Sequence, residues 1–265
     1  MAQLPILIVL AGGASSRMWP LREKSLLRFG TEPLLVSQLR RYESLGLQEA
    51  VIVANPGNLE DIKTLTAAIR SMNIRVVVQA DAKGMGDALL QAAPALPNQP
   101  ETPIYVVQVH DVVDDQLHAD MLKAYAADPT GTYIAGYERE DYFPGGYLIV
   151  SPTGRITGIV EKPGAENRPS NLVNIVAHIH PDSARLFNAI QEEYAKPIAS
   201  DDHYERAMDR LMTQHLFKVV PYRGPWNALK FPWHTLDVMN YYLSKISGKI
   251  VAESAFVAPS ATLIG

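Results

Sequence analysis

The sequence predicts an α/β protein with three layers around a mixed, mostly parallel central sheet. Short β-rich runs alternate with stretches of helical periodicity through the first half, the pattern of strands joined by crossover helices. A glycine-rich loop follows the first apolar run, where backbone N–H groups can approach a ligand. From Tyr133 to His180 strand follows strand, with turn signals at Pro144-Gly145-Gly146 and Thr153-Gly154, which adds antiparallel pairing.

Taken in order, Pro5 to Leu10 is the first strand. Leu34, Leu35, Leu39, Tyr42 and Leu45 then recur at helical spacing until Gly46 supplies a stop. Ala50 to Ala54 is the second strand. Asn58 is placed to cap a helix whose apolar stripe is Ile62, Leu65 and Ile69. Ile74 to Gln79 is the third strand and Ile104 to Val109 the fourth, ending at His110-Asp111, where open α/β sheets gather ligand-binding residues. After the strand-rich stretch come helices from Asp182 to Glu193 and Asp202 to Gln214, a strand from Phe217 to Pro221 and a helix beyond Trp233.

The last residues follow another rule. Val251, Val257 and Leu263 are six apart, as are Ala255 and Ala261, the period of a hexapeptide β-helix. Residues 1–248 are therefore read as the main domain, and residues 249–265 as the start of a left-handed β-helix. Such a solenoid needs about three repeats for stability. The tail is expected to pack on the main domain or on another copy, making a homo-oligomer, or to continue in a longer natural protein.

Composition narrows the function. The chain has 265 residues, 47% hydrophobic and 20% charged, with a net charge of -4. No overall basic field is available to hold a nucleic-acid polymer, so anion recognition must come from a few placed Arg and Lys residues. There is no cysteine, which excludes disulfides, thiolate metal sites and Cys nucleophiles. The apolar run Leu4 to Ala11 is far too short for a membrane span and has no basic leader, so the expectation is a cytoplasmic protein with no membrane partner.

Leu10 to Gly30, LAGGASSRMWPLREKSLLRFG, is the most informative segment. Its glycines follow a buried strand, and Arg17 and Lys24 add mobile positive charge to the same loop. The spacing is neither G-x-x-x-x-G-K-[ST] nor G-x-G-x-x-G, so neither a P-loop ATPase nor a dinucleotide binder is indicated. By chemistry alone an exposed glycine-rich connection with solvated charges stands equal to a phosphate site.

The segment resembles the opening signature of the nucleoside-diphosphate-sugar pyrophosphorylases, the sugar-1-phosphate nucleotidyltransferases: L-A-G-G-x-[GS]-[ST]-R-M-x-P-L, then a Lys before a Leu-Leu pair. It is matched at Leu10, Ala11, Gly12, Gly13, Ser15, Ser16, Arg17, Met18, Pro20, Leu21, Lys24, Leu26 and Leu27. The stretch between Leu21 and Lys24 is shorter than usual, and Glu23 replaces the customary Pro. The resemblance implies a Rossmann-like nucleotidyltransferase fold and a reaction joining a nucleoside triphosphate to a sugar 1-phosphate, with release of pyrophosphate.

Later landmarks follow in family order. Gln79 with Gly84-Met85-Gly86-Asp87-Ala88 resembles the segment that reads the base, so Leu10, Gly12, Gly13, Gln79 and Gly84 become the nucleotide-binding candidates. Asp111 stands where the family has the magnesium-binding Asp of its G-D pair, with His110 in place of the Gly. A hard divalent cation of that kind takes carboxylate oxygen, and substrate phosphates complete its shell. Gly145-Gly146-Tyr147 and Ile159-Val160-Glu161-Lys162-Pro163 resemble the sugar-binding segments. By that likeness Gly146, Glu161 and Asn174 contact the sugar, with Asn171 the weaker alternative to Asn174, while Lys162 holds the sugar phosphate and acts with Arg17 and Lys24 in catalysis.

The last landmark departs from the pattern. In W-x-D-x-G-x-P the Asp is a second metal ligand, whereas here the run is Trp226-Asn227-Ala228-Leu229-Lys230-Phe231-Pro232. Ala228 cannot bind metal, so Asn227 joins Asp111 as the candidate Mg2+ ligand. The departure sets an alternative to the enzyme: a catalytically impaired, nucleotide-sugar-binding regulatory subunit of the same fold. A glycosyltransferase ranks last, since Asp111-Val112-Val113 lacks the second Asp of an Asp-x-Asp motif.

Overall fold

The computed structural model describes residues 3–97, 101–197, 201–248 and 251–262. β1 (Ile6–Leu10) is apolar and buried at all five positions, as a central strand covered on both faces must be. The glycine-rich loop follows, then a short ribbon of β2 (Arg28–Phe29) and β3 (Glu32–Pro33). α1 (Leu34–Ser44) buries Leu35, Leu39 and Tyr42 along one stripe and stops at Gly46, whose φ of +91° suits glycine. β4 (Glu49–Ala54), α2 (Leu59–Thr66), β5 (Asn73–Val78), α3 (Gly84–Ala92) and β6 (Ile104–Gln108) complete the crossover half.

Asp111 is not a loose strand end. It opens a separate short strand, β7 (Asp111–Val113), ahead of α4 (Asp115–Ala127). The strand-rich stretch becomes β8 (Thr132–Glu138), β9 (Gly146–Val150), β10 (Ile156–Glu161) and β11 (Leu172–His180). α5 (Ser183–Tyr194) follows, with Asp182 Oδ1 accepting the Arg185 N–H at 3.0 Å as its cap. α6 (His203–Gln214), β12 (Phe217–Tyr222), β13 (Trp226–Ala228) and α7 (His234–Ser244) end the domain.

Among the described residues nine strands form one sheet in the order β10-β9-β11-β6-β1-β4-β5, with β8 pairing β11 and β12 pairing β8. β6, β1, β4 and β5 run parallel; β11 runs antiparallel to β6, β8 and β9. The mixed, mostly parallel sheet is as expected. One face packs Leu39 and Tyr42 of α1, Ile62 of α2 and Met121 of α4, while the other packs Leu89 of α3, Ile190 of α5 and Met208 of α6. Each fully buried Leu or Ile contributes about 1.5–3 kcal/mol. A third, smaller cluster joins α7 (Val238, Tyr241) to Met18 of the glycine-rich loop, Val112 of β7 and Leu229.

The tail departs from the expectation. Among the described residues 251–262 no strand forms and every residue is exposed, including Phe256 at 89%. What persists is the period: Ala255 N–H donates to Ala252 O and Ala261 N–H to Ala258 O, both at 2.9 Å and six residues apart. A single coil has no neighbour to complete its ladders, so turns form without strands. Leu263 lies outside the described residues. Among these residues no helix is long and apolar enough to cross a membrane.

Candidate active site

The loop after β1 passes through a gap that only glycine fits. A Cβ on Gly12 would stand 3.1 Å from Ala54 O and 3.4 Å from Gln79 Oε1. Ser15 and Glu23 hold left-handed φ values of 50° and 46°, a conformation that costs a non-glycine residue about 1–3 kcal/mol. Asn58 secures Glu23: its Nδ2 donates to Glu23 Oε2 at 2.8 Å and to Ala11 O at 3.0 Å, and Asn55 Nδ2 adds a bond to the same carboxylate at 3.3 Å. Asn58 therefore precedes α2 without capping it with its side chain. Glu23, in place of a proline, ties the loop down and delivers the neighbouring Lys24 to the cleft.

Leu10, Gly12, Gly13, Gln79 and Gly84 all line one cleft of ≈ 390 Å³, together with Arg17 and Lys24. Gln79 is pinned by its Nε2, which donates to Gly84 O at 3.0 Å and to Asp87 Oδ2 at 2.8 Å. Gly84 has φ +90°, and a Cβ there would lie 2.6 Å from Asp201 O. The N-terminus of α3 thus begins at the cleft wall, where its partial positive charge favours anions. Burial pulls the Lys24 ammonium down to about 8, Arg17 and Lys230 adding to the fall and Asp111 opposing it. A phosphate placed beside it would restore full charge.

Asp111 is 8% exposed and accepts the Trp226 indole N–H at 3.1 Å. Burial raises its pKa; the Trp226 bond, Lys230 and Lys24 pull the other way. β13 pairs β7 in the register Ala228 with Asp111, Asn227 with Val112 and Trp226 with Val113. Side chains alternate along a strand, so Ala228 shares the face of Asp111 and Asn227 lies on the opposite one. In this register Asn227 and Asp111, the two expected metal ligands, lie on opposite faces of the ribbon. Among the described residues no group of three or more His, Cys, Asp or Glu is placed to hold a metal. The residues fit a magnesium ion only as a single-carboxylate site, one whose other oxygens a triphosphate would bring.

The sugar-side candidates also converge. A Cβ on Gly146 would meet Glu161 Oε2 at 3.2 Å and Asn174 Cβ at 3.7 Å, so these three residues share one corner. Lys162 Nζ is 3.1 Å from Glu161 Oε1, and its backbone is left-handed with φ 45°, its N–H donating to Gly145 O at 3.1 Å. Asn174 Oδ1 lies 2.8 Å from His178 Nε2, whose Nδ1 is 2.7 Å from Tyr204 OH; His180 Nε2 reaches the same hydroxyl at 3.0 Å.

Three groups at this site were not singled out in the sequence. Glu205 of α6 is raised to about 7 by burial, with Glu161, Asp202 and Asp201 adding to the rise. His178 orients Asn174 from the core. Lys230 faces Arg17 and Lys24 across a smaller cleft. The only signal for Lys230 was a basic residue where the family pattern has glycine.

With this geometry in hand, a family model described as nucleotidyl transferase matches residues 6–224. A bifunctional sugar-1-phosphate nucleotidylyltransferase/acetyltransferase of Sulfurisphaera tokodaii is 25% identical over 97% of the chain and 64% of that protein. The bifunctional protein GlmU of Cereibacter sphaeroides is 32% identical over 70% of the chain and 40% of that protein. The chain thus spans less than two thirds of the length of these curated relatives. Among solved structures, a UDP-glucose pyrophosphorylase complexed with UDP-glucose superposes with a TM-score of 0.77 at 21% identity, over 92% of this chain and 100% of that one. A putative glucose-1-phosphate thymidylyltransferase from Bacillus anthracis does so with a TM-score of 0.77 at 17% identity, over 93% and 98%. These two likenesses show the fold.

Proposed function

The chain belongs to the nucleotidyl transferase family, and from that premise we propose that it joins a nucleoside triphosphate to a sugar 1-phosphate, giving a nucleotide sugar and pyrophosphate. One arrangement supports the reading: Lys230 lines a cleft with the loop cations Arg17 and Lys24 and also feels the charges of Glu161 and Lys162, beside Gly146 and Asn174. A site for one anion would need only the first set.

In the proposed reaction an oxygen of the sugar phosphate forms a bond to the α-phosphorus, and the bond from that phosphorus to the bridging oxygen breaks. Pyrophosphate leaves with the electron pair. No enzyme nucleophile is required, and positioning with charge neutralisation supplies the rate. Arg17 and Lys24 hold the triphosphate, and Lys162 orients the attacking phosphate. Gln79 and Gly84 set the base, while Glu161 and Asn174 receive the sugar hydroxyls. Asp111 would hold a magnesium ion together with substrate oxygens, and the ion would neutralise phosphate charge.

The second reading is a nucleotide-sugar-binding regulatory subunit, favoured by Ala228 on the face of Asp111, where it adds no oxygen. The exposed tail is proposed to begin a hexapeptide-repeat left-handed β-helix and to mediate self-association, supported by its two turns six residues apart.

The reverse reaction tests the proposal. The protein is mixed with pyrophosphate, magnesium and each of a panel of nucleotide sugars, beginning with UDP-glucose and dTDP-glucose, and followed by 31P NMR. Triphosphate resonances are expected with at least one. Binding without conversion across the panel would leave the subunit reading.

A further inference from the structure

Resting on the reading of this cleft as the meeting place of two phosphate-bearing substrates, we infer that Lys230 is a catalytic residue whose ammonium group bridges the triphosphate and the sugar phosphate at the reacting phosphorus. Its backbone is held from two sides. Leu229 N–H donates to His110 O at 2.9 Å, and Lys230 N–H donates to His234 Nδ1, on the first residue of α7, at 3.1 Å. Leu229 is buried with Val112 in the small core beneath. Lys230 lies two residues past the end of β13, close enough to Asp111 for the two charges to act on each other.

The side chain ends between the two halves of the site. Its Nζ lies 4.6 Å from the centroid of the Phe143 ring, in the turn that leads to Gly145 and Gly146. The same lysine lines a small cleft with Gly13, Ser16, Arg17 and Lys24. Its charge acts on both sets: Asp111 and Arg17 on the triphosphate side, then Glu161 and Lys162 on the sugar side. A cation resting on an aromatic face is weakly held, so an incoming anion displaces the ring. Phe143 is itself braced by Trp226, 4.9 Å away between centroids, and Trp226 also binds Asp111.

The chemistry needs a charge at this place. As the new oxygen–phosphorus bond forms and pyrophosphate departs, negative charge spreads over the oxygens of the α-phosphorus and its neighbours. Asp111 offers a carboxylate to a cation there, and Ala228 paired with it contributes none. Lys230 supplies positive charge directly from the protein. Burial lowers its pKa, with Arg17 and Lys162 adding to the fall and Asp111 and Glu161 opposing it; two phosphates beside it favour the charged form, and it transfers no proton.

Two measurements test this. The first is the steady-state rate of Lys230→Met, which keeps the stem over Phe143, and of Lys230→Arg. For the substrate pair that the wild type converts, Lys230→Met is expected to lower kcat by at least 100-fold with both KM values within about threefold. Lys230→Arg should recover at least a tenth of the wild-type rate. A kcat within threefold of wild type, or a change confined to KM, would overturn the inference. The second is calorimetric binding of UDP-glucose and dTDP-glucose, whose joined phosphates occupy the same junction and which needs no turnover. Lys230→Met should weaken the tighter of the two by at least tenfold, with an unchanged circular dichroism spectrum; equal affinity overturns the inference. Weakened binding with no wild-type turnover would instead sink the reaction and leave Lys230 at the junction.

Discussion

Arg17 holds its guanidinium carbon 5.6 Å from the centroid of the Phe231 ring, a resting place that a phosphate displaces readily. The contact proposed for it with the departing pyrophosphate would be charge-assisted, worth about 3 kcal/mol. Arg17→Ala is therefore expected to cut kcat by at least about 100-fold with an unchanged melting temperature, measured together. Near-normal turnover would remove Arg17 from the mechanism. Ala228 and Asn227 provide a second test on neighbouring residues. Because Ala228 shares the face of Asp111 and Asn227 does not, Ala228→Asp should raise magnesium affinity in calorimetry, whereas Asn227→Ala should leave it unchanged. A loss of affinity in Asn227→Ala would mean that the register misplaces the site. The loop residues could be picked out in the sequence because they stand together in one signature. The facing of Asn227 could not, because one step along a strand turns a side chain to the other face, something that residue identity does not encode.

β11 shows what an element contributes beyond its own contacts. Its site end carries Asn174, and its core end carries His178 and His180, both joined to Tyr204. Burial holds His178 and His180 down to about 3; the charge of His178 lowers His180 further. His118 of α4 is likewise held at about 3 by burial and by Arg41, between the hydroxyls of Tyr42 and Tyr105. All three are neutral when folded, and all three take up protons near pH 6.5 when unfolded. Stability is therefore complete above that pH and is lost as pH falls toward 3, each histidine subtracting about 1 kcal/mol over the first pH unit. Between pH 6.5 and pH 5.5 these three should subtract roughly 3 kcal/mol, with His110, whose pKa is also lowered, subtracting more and Glu205, raised to about 7, offsetting about 1 kcal/mol; equal stabilities in urea unfolding at the two pH values would contradict the neutral assignment. Strand and helix order was legible in the sequence because apolar period separates them. The buried histidines were not, since a histidine within an apolar run reads the same whether it is a core residue or a ligand. Asn58 failed as a predicted cap for a related reason: its side chain has a better partner in Glu23, remote in sequence.

At the scale of the molecule, the three-layer architecture and the convergence of the candidates on one edge of the sheet follow from the parallel strands β6-β1-β4-β5, which deliver their carboxyl ends to one side. The tail belongs to a different logic. Val251 at 46% and Phe256 at 89% exposure lie uncovered next to two turns that repeat every six residues. Removal of residues 249–265 is expected to reduce self-association and leave nucleotide binding within twofold, by light scattering and calorimetry. Identical masses with and without these residues would exclude the tail as an interface. The period was readable because it is a spacing. The missing strands were not, since they require neighbouring coils to pair with.

Both sets of residues are proposed to act on two substrates at once. Pyrophosphate release measures this most directly: the protein with magnesium and each of several triphosphates and sugar 1-phosphates, together and separately. Release is expected from at least one pair and from neither partner alone. Release from a triphosphate without any sugar phosphate, or no release from any pair by a protein that still binds the nucleotide sugar, would contradict it.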